Sequence, residues 1–222
     1  MVFETDAATV YQLRPRHRHQ EVQEVMPADY PGVMVTDRGR RYDARAFANV
    51  RQQKCLAHIQ RSISDVLATK VGRARDFGEG LKALLQDARH LWHAYHEGVA
   101  PDFVTAAKAV QEELTYQLRP RRLQDRDNHR LRNELGWHHD RGNLVRFLAE
   151  PAVDPTNNRA ERALRPAVIA RKGSQCSKNG AGAHAFEVFT SVVRTLAQKS
   201  ADSLVERLCQ LFRSPSLQDL PP

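Results

Sequence analysis

No stretch of this chain approaches the ~18 uninterrupted apolar residues that a membrane-spanning helix requires, which excludes a helical membrane protein. Cysteine is scarce: Cys55, Cys176 and Cys209 are odd in number and widely spaced. That excludes a disulfide framework and fits reduced thiols in a cytoplasm. The start, Met1-Val-Phe-Glu-Thr-Asp, lacks the basic and apolar regions of a secretory signal. No repeat of fixed period links the helical segments, and no low-complexity segment separates them. Acid is in deficit, with 26 Asp and Glu against 34 Lys and Arg.

The resulting net charge of +8 suits a polyanionic partner such as nucleic acid, although mild basicity is common among soluble proteins. At 222 residues and 41% hydrophobic content, the chain can bury one sizeable core. Leu, Val, Ile and Phe recur along most of its length, which excludes disorder as the main state.

Two regimes follow one another. Residues 1 to about 55 read as short strands with turns, and the remainder reads mainly as helix. Met1–Phe3 and Thr9–Leu13 are β-rich and joined by the polar Glu4–Ala8, the pattern of a hairpin. Glu21–Met26 has helical spacing and stops at Pro27. Gly32–Thr36 is a continuous apolar run, the pattern of a central strand covered on both faces. Val50–Cys55 reads as a further strand. From Leu56, apolar residues at a 3.6-residue period predict successive antiparallel helices, the fourth covering Asn128–Ala149. Helix resumes at 157, breaks at Pro166, passes a glycine-rich turn near 179–182 and continues to about Phe212. The expected organisation is a partial sheet over 1–55, a helical insertion over 56–150, a C-terminal helical part over 151–213 and a frayed tail over 214–222.

Two acidic positions are candidates for chemistry. Asp37 ends the Gly32–Thr36 strand, where open α/β sheets place ligands, but from position alone its commoner role is to start the turn Asp-Arg-Gly-Arg. Glu161 lies in Pro155-Thr-Asn-Asn-Arg-Ala-Glu-Arg-Ala-Leu-Arg-Pro166. Asn158 and Glu161 have the spacing of a capping box, while a carboxylate beside Arg162 and Arg165 could also hold a metal next to phosphate-binding cations. His90, His93 and His96 diverge around their helix, and Cys55 with His58 makes only two metal ligands. His138-His139-Asp140 reads as solvated surface. Gly180-x-Gly182 precedes no phosphate fingerprint. The basic runs Arg38–Arg41 and Arg119–Arg122 suit DNA or an ordinary solvated face.

The stretch Thr156–Pro166, followed by Arg171-Lys172, resembles the most recognisable motif of the DDE transposases of the bacterial insertion-sequence sixty-six family. Three weaker matches stand in the family's order. They are Gly32–Asp37 with Tyr42-Asp43, the Cys-x-x-His-x-x-Arg pattern Cys55–Arg61, and the small-residue stretch Gly180–Ala185. The resemblance implies an α/β, RNase H-like fold: a mixed sheet with a large helical insertion and C-terminal helices. It implies that Asp37 and Glu161 are catalytic carboxylates holding Mg²⁺ or Mn²⁺, in a two-ion site with ions ~4 Å apart once the full set is present. It also implies that Arg159, Arg162, Arg165, Arg171 and Lys172 contact the phosphates of double-stranded DNA, the element ends and the target. A homo-oligomer on DNA, in a cytoplasmic and nucleoid-associated protein, completes the expectation.

One departure stands out. The family's first acidic residue lies on a strand ahead of the segment resembling Met1–Leu13, and Asp6, in the hairpin turn, is no substitute. The expectation is therefore a sheet without its first strand, and a transposase-derived chain without strand-transfer activity of its own. The rival expectation is a non-catalytic DNA-binding or regulatory fragment.

Overall fold

The computed structural model describes residues 1–100, 102–174, 177, 179–199 and 203–213. Cys176 and the tail over 214–222 lie outside the described residues. In chain order, strands are β1 (Val2–Glu4), β2 (Thr9–Tyr11), β3 (Val33–Thr36) and β4 (Arg51–Lys54). The helices are α1 (His19–Gln23), α2 (Leu56–Leu67), α3 (Asp76–His96), α4 (Phe103–Leu118), α5 (Arg126–His139), α6 (Arg146–Ala149), α7 (Asn158–Ser174), α8 (Gly180–Lys199) and α9 (Leu204–Arg213). They divide into two units, one of residues 18–157 and one of residues 1–17 with 158–222, so the expected segment 1–55 is shared between them.

In the unit of residues 18–157, helix periodicity builds the core. Leu56, Ile59, Ile63 and Leu67 of α2 meet Leu81, Leu85 and Ala88 of α3, and α4 and α5 close over them through Leu114, Leu118, Leu131 and Leu135. Asp102 caps α4 by accepting from Thr105 N at 3.2 Å. Asp125 caps α5, accepting from Asp127 N and Asn128 N at 3.1 and 2.9 Å. The helix expected over Asn128–Ala149 is in fact two. Gly142 takes φ +66°, and the amides of Gly142 and Asn143 return to the carbonyls of His139 and His138 at 2.8 and 2.9 Å. That left-handed glycine ends α5 and lets Leu144, Val145 and Phe147 turn into the core before α6.

β3 and β4 pair in parallel, Val33 with Arg51 through Thr36 with Lys54. Burial along β3 alternates, with Met34 and Thr36 buried and Val33 and Val35 half-buried. The expectation of a strand equally covered on both faces is thereby corrected. β4 is anchored by Lys54 N to Asn143 O and by Gln53 Nε2 to Leu144 O, each at 2.7 Å.

In the other unit, β1 and β2 form the expected antiparallel hairpin. The amides of Thr9, Tyr11 and Leu13 point away from β1 and meet side chains of α8. Thr195 Oγ1 accepts at 3.0 Å and Ser191 Oγ at 2.9 Å, and Glu187 takes Leu13. These acceptors recur every four residues, so one stripe of α8 satisfies a row of strand donors that would otherwise be orphaned. Asn179 caps α8 by accepting from Gly182 N at 2.8 Å, which places the glycines inside the first turn rather than in a loop. Helix α7 runs through Pro166 instead of breaking there. Both Pro166 and Arg162, whose carbonyl loses its helical donor, are exposed, so solvent can reach the freed group.

The fold is mixed α/β and mostly helical. The RNase H-like expectation of one mixed sheet needs correction: among the described residues the strands form two separate two-stranded sheets.

Candidate functional site

Asp37 leaves β3 into a tight turn. Its Oδ1 accepts from Gly39 N at 2.8 Å, and its Oδ2 pairs with the Arg41 guanidinium at 2.9 Å. A side chain at Gly39 would place its Cβ 2.8 Å from that same Oδ1, so the turn demands glycine. The Asp37 side chain stays 35% exposed, and a carboxylate offers about four lone-pair positions, so a cation can still reach it.

Behind the turn lies a buried charge that the sequence did not reveal. Lys54, at the end of β4, is fully buried, with Nζ 2.8 Å from Asp43 Oδ1. It also donates to Gln52 Oε1 at 2.8 Å and to Thr36 Oγ1 at 3.3 Å. Burial pushes its ammonium below the ordinary lysine value, and the Asp43 carboxylate opposes this, with a smaller contribution from Asp37. Lys54 therefore ties both strand ends to the turn over Arg40–Asp43 and positions Asp37 through it.

His138, read from the sequence as solvated surface, is 3% exposed. Burial and the positive charge of Lys54, with smaller contributions from Arg38 and Arg141, lower its pKa to about 4, while Asp43 pulls the other way. The polarity of the stretch concealed this, because α5 turns His138 inward while His139 beside it bonds Thr115 at 2.8 Å.

Arg38–Arg41 is only partly open surface. Arg38 donates to Glu134 at 2.8 Å and to Ser62, and Arg41 is held by Asp37. In α3, His96 Nε2 and Trp92 Nε1 both donate to Pro151 O at 2.8 Å, so the last histidine of the row and the tryptophan fasten the helix to a loop. Among the described residues no group of three His, Cys, Asp or Glu side chains is arranged to hold a metal.

The other unit carries Glu161 in the first turn of α7. Asn158 is the first helical residue rather than the cap, one position from the capping-box register expected. Helical geometry puts Glu161, Arg165 and Lys172 on one face, with Arg162 and Arg171 flanking it, and all five are exposed. Arg159 lies half a turn away. It clamps the β1–β2 turn, bonding Asp6, Thr5 O at 2.6 Å and Glu4 at 3.5 Å. These partners raise its pKa further, the Asp6 hydrogen bond most of all.

A family model described as Transposase IS66 family matches residues 2–185. The chain belongs to the IS66 transposase family. No curated protein and no solved structure matches it. The family match spans Asp37, Asp43, Lys54, Glu161 and every cation of α7, and it ends inside α8. Family membership makes the function transposase-related and DNA the partner to expect. Among the described residues no helix is long and apolar enough to cross a membrane.

Proposed function

We propose that this IS66-family chain is a transposase-derived DDE-type domain whose reaction class is metal-dependent DNA cleavage and strand transfer in transposition, with two of the carboxylates such a site uses and no strand-transfer activity by itself. In this reading Asp37 and Glu161 are carboxylate ligands of Mg²⁺ or Mn²⁺, and Arg162, Arg165, Arg171 and Lys172 contact DNA phosphates. Arg159 braces the hairpin beneath them. The observation that carries the reading is the shared exposed face of α7, where Glu161 stands in line with Arg165 and Lys172 within the family match.

The donors fit the metal. Both are hard carboxylate oxygens, Asp37 keeps lone pairs beyond those used by Gly39 and Arg41, and Mg²⁺ binds through one or two carboxylates plus substrate phosphates and water. When bound, such ions activate the attacking oxygen and stabilise the leaving one. The protein's part is to hold the Asp37 carboxylate in its turn, to present Glu161 from a rigid helix and to neutralise phosphate charge.

A second reading, a non-catalytic DNA-binding fragment, draws on the Arg41 ion pair of Asp37 and on the lack of a three-residue metal cluster among the described residues. Duplex affinity measured across salt concentration tests the DNA binding common to both readings. Replacing Arg162, Arg165, Arg171 and Lys172 together by alanine is expected to flatten the log–log salt slope by about 0.9 for each phosphate no longer neutralised, or about 3 to 4 in all. An unchanged slope would place the DNA elsewhere.

A further inference from the structure

A cavity of about 510 Å³ opens within the unit of residues 18–157, lined by residues 42–52 together with Trp137, Arg141, Asn143 and Arg146 and by neither Asp37 nor Glu161. The buried Phe47 and Val50 are among its lining residues. Its rim is formed by four arginines from separate parts of the chain: Arg45, Arg51, Arg141 and Arg146. Two are fixed in place. Arg51 and Arg146 share the Glu150 carboxylate at 2.9 and 3.1 Å, and each also donates to a backbone carbonyl, Pro31 O at 2.6 Å and Gln52 O at 3.0 Å. Asp43, the carboxylate in the lining, is already held by Lys54. The rim therefore keeps a surplus of positive charge.

The wall is aromatic. The Arg141 guanidinium lies 3.7 Å from the centroid of the Trp137 ring and is tied there by a 3.1 Å bond to Trp137 O. Trp137 is 38% exposed, with Arg141 over its ring and His138 packed edge-on at 4.8 Å between centroids. A cation–aromatic stack among several guanidiniums is the combination that recognises a base and its phosphate together. A base paired and stacked inside a duplex cannot enter such a cavity, but an unpaired one can.

We propose that this pocket binds an unpaired nucleotide of single-stranded DNA. The base adds to the Trp137–Arg141 stack, and the flanking phosphates lie on Arg45, Arg51 and Arg146. The site stands independently of whether Asp37 and Glu161 hold metal.

The test uses the full chain and measures fluorescence anisotropy with a labelled single-stranded oligonucleotide and with a blunt duplex of the same sequence. Trp137→Ala is expected to weaken single-strand binding by about 10-fold or more while duplex binding, carried by α7, stays within about 2-fold. Arg45→Glu, at an exposed turn position, is expected to act in the same direction and covers the case in which Trp137→Ala does not fold. The proposal is overturned if both variants leave single-strand affinity unchanged, or if they reduce single-strand and duplex binding equally. An unchanged duplex salt slope on charge removal in α7, with the single-strand result intact, would count against the α7 reading only.

Discussion

Replacing Lys54 by alanine is expected to destabilise the protein by about 3 to 5 kcal/mol, the cost of leaving one member of a buried ion pair without its partner. The Lys54 ammonium is wholly buried and Asp43 is largely so, which puts the pair in the range where such losses are severe. Alanine leaves the Asp43 carboxylate facing a void, and it removes the donor that Thr36 and Gln52 share. Lys54→Met keeps most of the stem packing and separates the charge effect from the cavity effect. Adding Asp43→Asn to Lys54→Met is expected to recover a large part of the loss, because no bare carboxylate remains. Urea denaturation of the four proteins checks this. A loss under about 1 kcal/mol for Lys54→Ala would mean that Asp43 finds solvent or another cation, and that the turn bearing Asp37 does not depend on the lysine.

The second large effect is a dependence on pH. Folded His138 takes up a proton only near pH 4, whereas an unfolded histidine does so near its ordinary 6.5. Between those values the unfolded chain binds more protons, so stability falls as the pH is lowered through that window and is retained above it. A displacement of this size corresponds to about 3 to 4 kcal/mol at full extent, at ~1.4 kcal/mol per pH unit. Denaturation at pH 7.5 and pH 4.5 is expected to show most of that loss in the wild type. His138→Leu, which leaves no buried proton acceptor, is expected to show much less. Equal acid sensitivity in both proteins would assign the loss to other groups.

Elements whose information is local were legible in the sequence. The hairpin β1–β2 follows from two β-rich runs around a polar turn, and α2, α3 and α4 follow from apolar residues at helical spacing. The cations of α7 were named from the family motif alone, and the single face they share became visible only because the helix runs on through Pro166. Features that depend on distant partners were not legible. Lys54 reads as an ordinary strand-end cation until Asp43, Thr36 and Gln52 surround it. His138 reads as surface until burial and the charges of Lys54, Arg38 and Arg141 act on it together. Arg159 belongs by motif with the other α7 cations, yet helical phase turns it toward the acidic hairpin. Pro166 and Gly142 show the same limit for breaks. An exposed carbonyl let the helix pass the proline, and a left-handed glycine with two returning amides ended a helix that apolar periodicity would have continued.

The central claim is that Asp37 and Glu161 act as metal ligands rather than as a turn residue and a helix-start residue. Titrating Mn²⁺ into the wild type, Asp37→Asn and Glu161→Gln, with thermal melts to show that all three are folded, tests it most directly. Both substitutions keep side-chain size and hydrogen-bonding capacity while removing the charge. Loss of a group that merely supports a metal ligand costs about 10- to 100-fold in affinity, so loss of a ligand itself is expected to cost about 100-fold or more. Unchanged Mn²⁺ affinity in both variants would contradict the claim and leave the two carboxylates serving only a turn and a helix start.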